Sequence, residues 1–180
     1  MPPVPGQRTL ADLFSLAIET EIQARDLYES LICMFAHEPG VSAFWNELKD
    51  DELNHIAILR DVLEHASPEE KQHETDPIIW ARLENTKLLI SRQLSRRFQT
   101  LDDAYEFVHE LEYSEINIIF KLLVTGAVSA GKAVEIIDAN IRDHQQKLID
   151  FSERFGGRAW RQTIIAQPCA EETGRSRARV

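Results

Sequence analysis

The chain has 180 residues, 43% of them hydrophobic, enough for one domain with a sizeable buried core. Its formal charge of -10 argues against nucleic acid as a partner and favours cations. No stretch approaches the ~20 apolar residues of a membrane span, and the opening "MPPVPGQRT" lacks the apolar core of a signal peptide.

These features predict a soluble cytoplasmic protein. Cys33 and Cys169 form neither a disulfide framework nor a CxxC pair and are expected as free thiols in a reducing compartment. Few aromatic residues (8%) and long runs of Leu, Ile, Ala, Glu, Lys, Arg and Gln favour an all-α chain.

In chain order, a first helix is expected over about 10–36, with Thr9 as N-cap, and a second over about 41–66 after the turn "HEPG". The hydrophilic "SPEEKQHET" follows. Asp76-Pro77 then starts a further helical segment to about Phe98, since proline suits a first helical turn. A third long helix is expected over about 101–124, capped by Thr100, and a fourth over about 132–155, closed by Gly156 and Gly157. Residues 1–157 thus predict a four-helix bundle whose second and third helices are joined by a long crossover carrying its own helix. Residues 158–180 read as a tail, partly ordered or disordered. Arg92, Arg96 and Arg97 read as a solvated face.

Each long helix carries an apolar stripe with a period of ~3.5. Each stripe is broken near its middle: by Glu21 in the first helix, Glu52 and His55 in the second, Glu112 and Glu115 in the third, and His144 in the fourth. Central breaks meet at one level whichever way the helices run, predicting a buried cluster of four carboxylates and two imidazoles. One unpaired buried carboxylate costs several kcal/mol, and four together repel. No lysine or arginine lies on these stripes near the breaks. Two divalent cations would balance the charge, and carboxylate oxygen with imidazole nitrogen suits iron or manganese, with zinc as a further option. Glu52 and His55 are three apart and share a face, so one can bridge two metals while the other binds one. Glu19, Glu29, Glu47 and Glu110 lie off the stripes, His109 lies beside one, and His37, His65 and His73 fall in or near turns.

The two halves resemble each other. "LAIETEIQARDLYESL" lies over "FVHELEYSEINIIFKL" with Glu21 on Glu112 and Ala24 on Glu115, and "DDELNH" lies over "ANIRDH" with His55 on His144. The second copy has Ile141 where the first has Glu52. Asp143 points roughly 100° away from His144 and substitutes poorly for the missing carboxylate.

"EIQARDLY" from Glu21 to Tyr28, Glu52-x-x-His55, the pair Glu112 and Glu115, and His144 resemble the rubrerythrin branch of the ferritin-like proteins. The resemblance spans about residues 9–155 and implies a ferritin-like bundle holding a di-iron site. It implies peroxide or oxygen reduction with ferrous iron oxidation, the metals being held by Glu21, Glu52 and His55 on one side and Glu112 and His144 on the other. Glu115 would be the extra carboxylate of rubrerythrins, and Tyr28 a hydrogen-bond donor near the first iron, so Glu52, Glu115 and Tyr28 are the expected catalytic residues. Ile141 would leave the second metal short of a bridge. With no CxxC pairs for a rubredoxin-like domain, the electron donor would be external, such as a rubredoxin-like protein, and the likeness implies a homodimer. Two other outcomes fit the same residues: iron storage, or a degenerate module with one structural metal or none.

Overall fold

The computed structural model of the chain describes the backbone of residues 8–114 and 131–169, and within those the side chains outside 114–141. Helix α1, Leu10–Met34, opens on a capping box: Thr9 accepts from the Asp12 amide, and Asp12 Oδ2 accepts from the Thr9 amide at 2.9 Å. A three-residue turn after the cap at Phe35 leads to α2, Pro39–His65, which starts two residues earlier than expected because Pro39 and Gly40 join its first turn. Gly40 lets the start of α2 approach the end of the last bundle helix closely. A Cβ at this position would stand 2.9 Å from Phe155 Cε1, so a larger residue would have to displace the Phe155 ring.

The crossover contains the single-turn helix α3, Pro68–Lys71, and then α4, Pro77–Leu94, whose N-cap Asp76 accepts from the Ile78 amide at 2.7 Å. Helix α4 lies on the outside of α1, burying Leu83, Thr86 and Ile90 against it, with Ser91 donating to Gln23 at 3.1 Å. The crossover is also tied to the chain start by Leu10 N to His73 O (2.8 Å) and Thr75 N to Arg8 O (3.1 Å). Helix α5, Leu101–Ser114, begins on the expected Thr100 cap, closed by Asp103. The last bundle helix, α6, Gly131–Arg154, ends at Gly156, whose φ of 77° is the left-handed conformation that stops a helix. The expected remainder of the third helix, with Glu115, and the first six residues of the loop "TGAVSAG" lie outside the described residues, while its Gly131 opens α6.

Helices α1, α2, α5 and α6 form the all-α four-helix bundle, with α4 as the helical crossover. The apolar core is in two parts. One contains Ala24, Leu27, Tyr28, Leu31, Trp45, Leu48, Val108, Leu148 and Phe151. The other contains Leu13, Phe14, Leu16, Ala17, Leu59 and Leu83. In the first, Phe44 stacks on Phe151 at 4.1 Å between ring centres, Phe151 on Tyr105 at 5.5 Å, and the Tyr105 hydroxyl donates to Leu148 O at 3.2 Å, locking α2, α5 and α6 together.

The C-terminal segment is described as far as residue 169 and packs back on the bundle. Helix α7, Arg158–Arg161, buries Arg161, whose Nε donates to Asp102 Oδ1 at 3.0 Å while its guanidinium lies 4.4 Å from the centre of the Tyr105 ring. The chain then pairs with the start of α5, Leu101 N to Ile164 O and Ala166 N to Gln99 O, and Gln167 N reaches Met34 O. Cys169 is joined to Cys33 by a disulfide, which corrects the expectation of two free thiols and removes the support they lent to a reducing compartment. Their separation of 136 residues and lack of any spacing motif hide the pairing from the sequence. Among the described residues no helix is long and apolar enough to cross a membrane.

Because the bond closes a loop of most of the chain, Cys33→Ser or reduction is expected to lower the unfolding free energy by about 2–4 kcal/mol. Urea denaturation reads this directly. An unchanged midpoint would mean that Arg161 and the backbone pairing hold the segment unaided.

Candidate metal centre

Between the two apolar clusters lies one polar layer. Glu21 follows Ala17 and precedes Ala24 on the buried face of α1, and Glu52 stands between Leu48 and Ile56 on α2. Helical periodicity therefore turns both carboxylates inward. His55, one turn on from Glu52, shares its face, while α5 supplies Glu112 and α6 supplies His144. Relative exposure is 4% for Glu21, 2% for His55, 1% for Glu112 and 0% for Glu52 and His144, so water cannot stabilise charge on any of them.

The five side chains form two triads: Glu21, Glu52 and His55, and Glu52, Glu112 and His144, with one ligand atom of each residue within 4.8 Å of the others in its triad. Glu52 belongs to both. His55 Nδ1 is 3.1 Å from Glu52 Oε2 and 3.8 Å from Glu21 Oε2, and His144 Nε2 is 3.2 Å from Glu112 Oε2. The two imidazoles face each other, ring centres 5.9 Å apart and planes 21° from parallel.

Among the described residues Glu21 Oε2, Glu52 Oε1 and both ring nitrogens of His144 have no hydrogen-bond partner although they are buried. His144 Nε2 touches Glu112 without the alignment of a hydrogen bond. Donor atoms that converge without satisfying one another are rare in a folded interior. The set is two carboxylates and one imidazole per triad, with no thiolate, which fits hard or borderline ions such as ferrous iron.

Electrostatics carry the same message. Burial, reinforced by Glu21 and Glu112, holds the Glu52 carboxyl well above its ordinary value. Burial alone would lower His144, but Glu112 and then Glu52 outweigh it and raise the imidazole to about 9. His55 is raised against the opposing effect of burial, chiefly by Glu21. On Glu112 burial is outweighed by His144, Tyr28 and His55, which keep its carboxyl below the ordinary range. In the metal-free chain protons thus supply the countercharge that a metal would otherwise provide.

The Tyr28 hydroxyl donates to Glu112 Oε1, so its contact is with the second triad rather than beside the first. Burial and then Glu112 push its own ionisation well above 10.0, and it remains a donor. Ile141 falls within α6, its side chain outside the described set, and Asp143 is at the surface, where it pairs with Lys147. His109 is exposed and stacks on Tyr113, away from the triads. Asp51 escaped the sequence reading. It sits 3.6 Å from His144 Nδ1, and the only hint was its place next to Glu52, since charged residues beside a buried one usually face water.

The fold has a counterpart in a crystal structure of a candidate ferritin-like diiron-carboxylate protein from Thermotoga maritima. The TM-score is 0.58 at 18% sequence identity, over 82% of this chain and 96% of the other. The chain therefore has a ferritin-like fold. No protein-family model matches the sequence, and no curated protein does.

A group whose folded pKa is raised adds stability below its unfolded pKa, and loses that contribution as pH rises through the folded one. For His144 this window runs from 6.5 to about 9, and for Glu52 it opens at 4.5. Glu112, held low, is ionised in both states there and adds no slope. The melting temperature of the metal-free chain is therefore expected to fall steadily as pH rises from mildly acidic to about 9. A flat thermal profile across that range would contradict the proton-filled cluster.

Proposed function

We infer that the two triads, which share Glu52, would hold a pair of iron ions and that the protein is a di-iron oxidoreductase of rubrerythrin type, reducing hydrogen peroxide or dioxygen with oxidation of ferrous iron. The observation that carries this reading is the sharing of Glu52 between two buried Glu/Glu/His sets, in which Glu21 Oε2, Glu52 Oε1 and both His144 nitrogens have no hydrogen-bond partner among the described residues. The ferritin-like fold supports it, as does the description of the Thermotoga protein as diiron-carboxylate. Manganese or zinc would suit the same donors less selectively.

Glu21 and His55 would hold one ion and Glu112 and His144 the other. Iron, when bound, would supply the electrons for a two-electron reduction of the oxidant. The chain's own groups do the rest. The apolar layers above and below exclude water. Tyr28 fixes the orientation of Glu112 and keeps a proton next to it, and protons displaced from Glu52 and His144 on metal binding leave these groups as ligands. Glu115, outside the described residues, would be the extra carboxylate that the rubrerythrin likeness implies. Reducing equivalents would come from an external donor such as a rubredoxin-like protein, and assembly as a homodimer in the cytoplasm belongs to the same proposal.

Anaerobic ferrous titration of metal-stripped protein, with iron counted after desalting, is the direct test. About two ions per chain are expected from the two triads. Glu52→Ala is expected to abolish both, because it takes a ligand from each set, whereas Glu21→Ala should leave the Glu112 and His144 side occupied. One ion in the parent chain would point to a mononuclear or structural site. Tyr28→Phe is expected to retain the iron and slow peroxide consumption about 10- to 100-fold, the usual effect of losing an outer hydrogen bond to a ligand. Peroxide turnover equal to the parent's would remove Tyr28 from the reaction.

A further inference from the structure

The buried cluster poses a problem of access, since all five proposed ligands are at most 4% exposed. A small surface cavity reaches it: about 20 Å³, lined by Asp51, Asn54, His55 and Asp143. That is room for one water molecule or one partly dehydrated cation. His55 forms its inner wall. Asn54 and Asp143 occupy matching places in the two halves of the chain, each immediately preceding the histidine of its half.

Beside this cavity stands the Lys147 ammonium, paired with two of the lining carboxylates though not itself in the lining. Lys147 Nζ is 2.7 and 2.8 Å from the two oxygens of Asp51 on α2 and 3.0 Å from Asp143 Oδ2 on its own helix, α6. Asp51 is also 3.6 Å from Nδ1 of His144, a buried nitrogen with no hydrogen-bond partner among the described residues. Asp51 therefore faces the surface lysine on one side and the cluster on the other. Its side chain is 19% exposed, that of Lys147 24% and that of Asp143 68%, so exposure falls from Asp143 inward while charged groups continue to the cluster.

We propose that Asp51, Asp143 and Lys147 form the gate through which divalent cations reach the buried triads, with the Lys147 ammonium as a plug that an incoming cation displaces. The two carboxylates attract the ion, and the lysine, on a flexible four-carbon stem, can swing out to solvent when a doubly charged competitor takes its place. In the closed state the same lysine neutralises Asp51 and braces α2 to α6. The gate slows loading and leaves the number of ions unchanged, because none of the three residues belongs to a triad.

This inference rests on the metal-binding reading above, and the test separates the two. Fe²⁺ is added anaerobically to the metal-stripped full chain, and uptake is stopped at intervals with a chromogenic chelator. Lys147→Met is expected to load about tenfold faster than the parent, the range of electrostatic effects on association, and to reach the same final iron count. Lys147→Arg, which keeps the charge, should load no faster than the parent. Lys147→Gln, which can still hydrogen-bond Asp51, should fall between and serves where methionine unsettles the fold. Lys87→Met, removing a lysine paired with Glu19 between α1 and α4, controls for net charge and should load at the parent rate. Equal rates for the parent, Lys147→Met and Lys147→Gln would overturn the gate while leaving the site intact. Acceleration by Lys87→Met as large as that by Lys147→Met would overturn it too, by assigning the effect to overall charge. A parent chain that takes up no iron at equilibrium would overturn the site and the gate together.

Discussion

The structure turns on a layer of charge placed where solvent cannot reach it. Glu21, Glu52 and Glu112 with His55 and His144 lie between two apolar clusters, one built around Trp45, Tyr28 and Phe151 and the other around Phe14, Leu16 and Leu59. Carboxylates in such a place need positive charge, and among the described residues no lysine or arginine is in contact with these three. Protons on Glu52 and His144 can serve, and so can metal ions. The two alternatives use the same oxygens and nitrogens, which couples metal content to proton content.

The rest of the bundle can be understood as the means of holding that layer. The capping boxes at Thr9 and Thr100 fix where α1 and α5 begin, and hence the depth at which Glu21 and Glu112 face inward. Gly40 permits close contact of α2 with the end of α6, and the Phe44, Phe151 and Tyr105 stack locks their rotation. Helix α4 covers the outer face of α1. The C-terminal segment fastens the far end through Arg161, its pairing with residues 99–101 and the Cys33–Cys169 bond. A misplacement of about 1 Å among ligands is enough to impair a site of this kind, so rigidity at both ends has functional weight.

Glu52 has the most demanding position. It is the one residue common to both triads, and its counterpart in the second half of the chain is Ile141, so the two halves are not equivalent. The second triad is nevertheless complete in kind, two carboxylates and one imidazole, because Glu52 reaches across to Glu112 and His144. The asymmetry extends outward: Tyr28 supports Glu112, and Asp51 stands behind His144.

The sequence by itself determined the all-α class, the approximate spans of α1, α2 and α6, the start of α5, the crossover helix and the central polar breaks among the described residues, because these depend on local propensity, capping and a period that repeats within one helix. It also singled out Glu21, Glu52, His55, Glu112 and His144, since each interrupts an apolar stripe. Only the tertiary structure decided which atoms meet. That Glu52 is shared, that Tyr28 serves Glu112, that Asp51 backs His144 and that Lys147 ties α2 to α6 are facts about helix rotation and about residues far apart in the chain, for which no local pattern exists. The same holds for the disulfide and for Arg161 with Asp102: residues that read as free thiols and as part of a tail become fixed when distant helix ends are brought together.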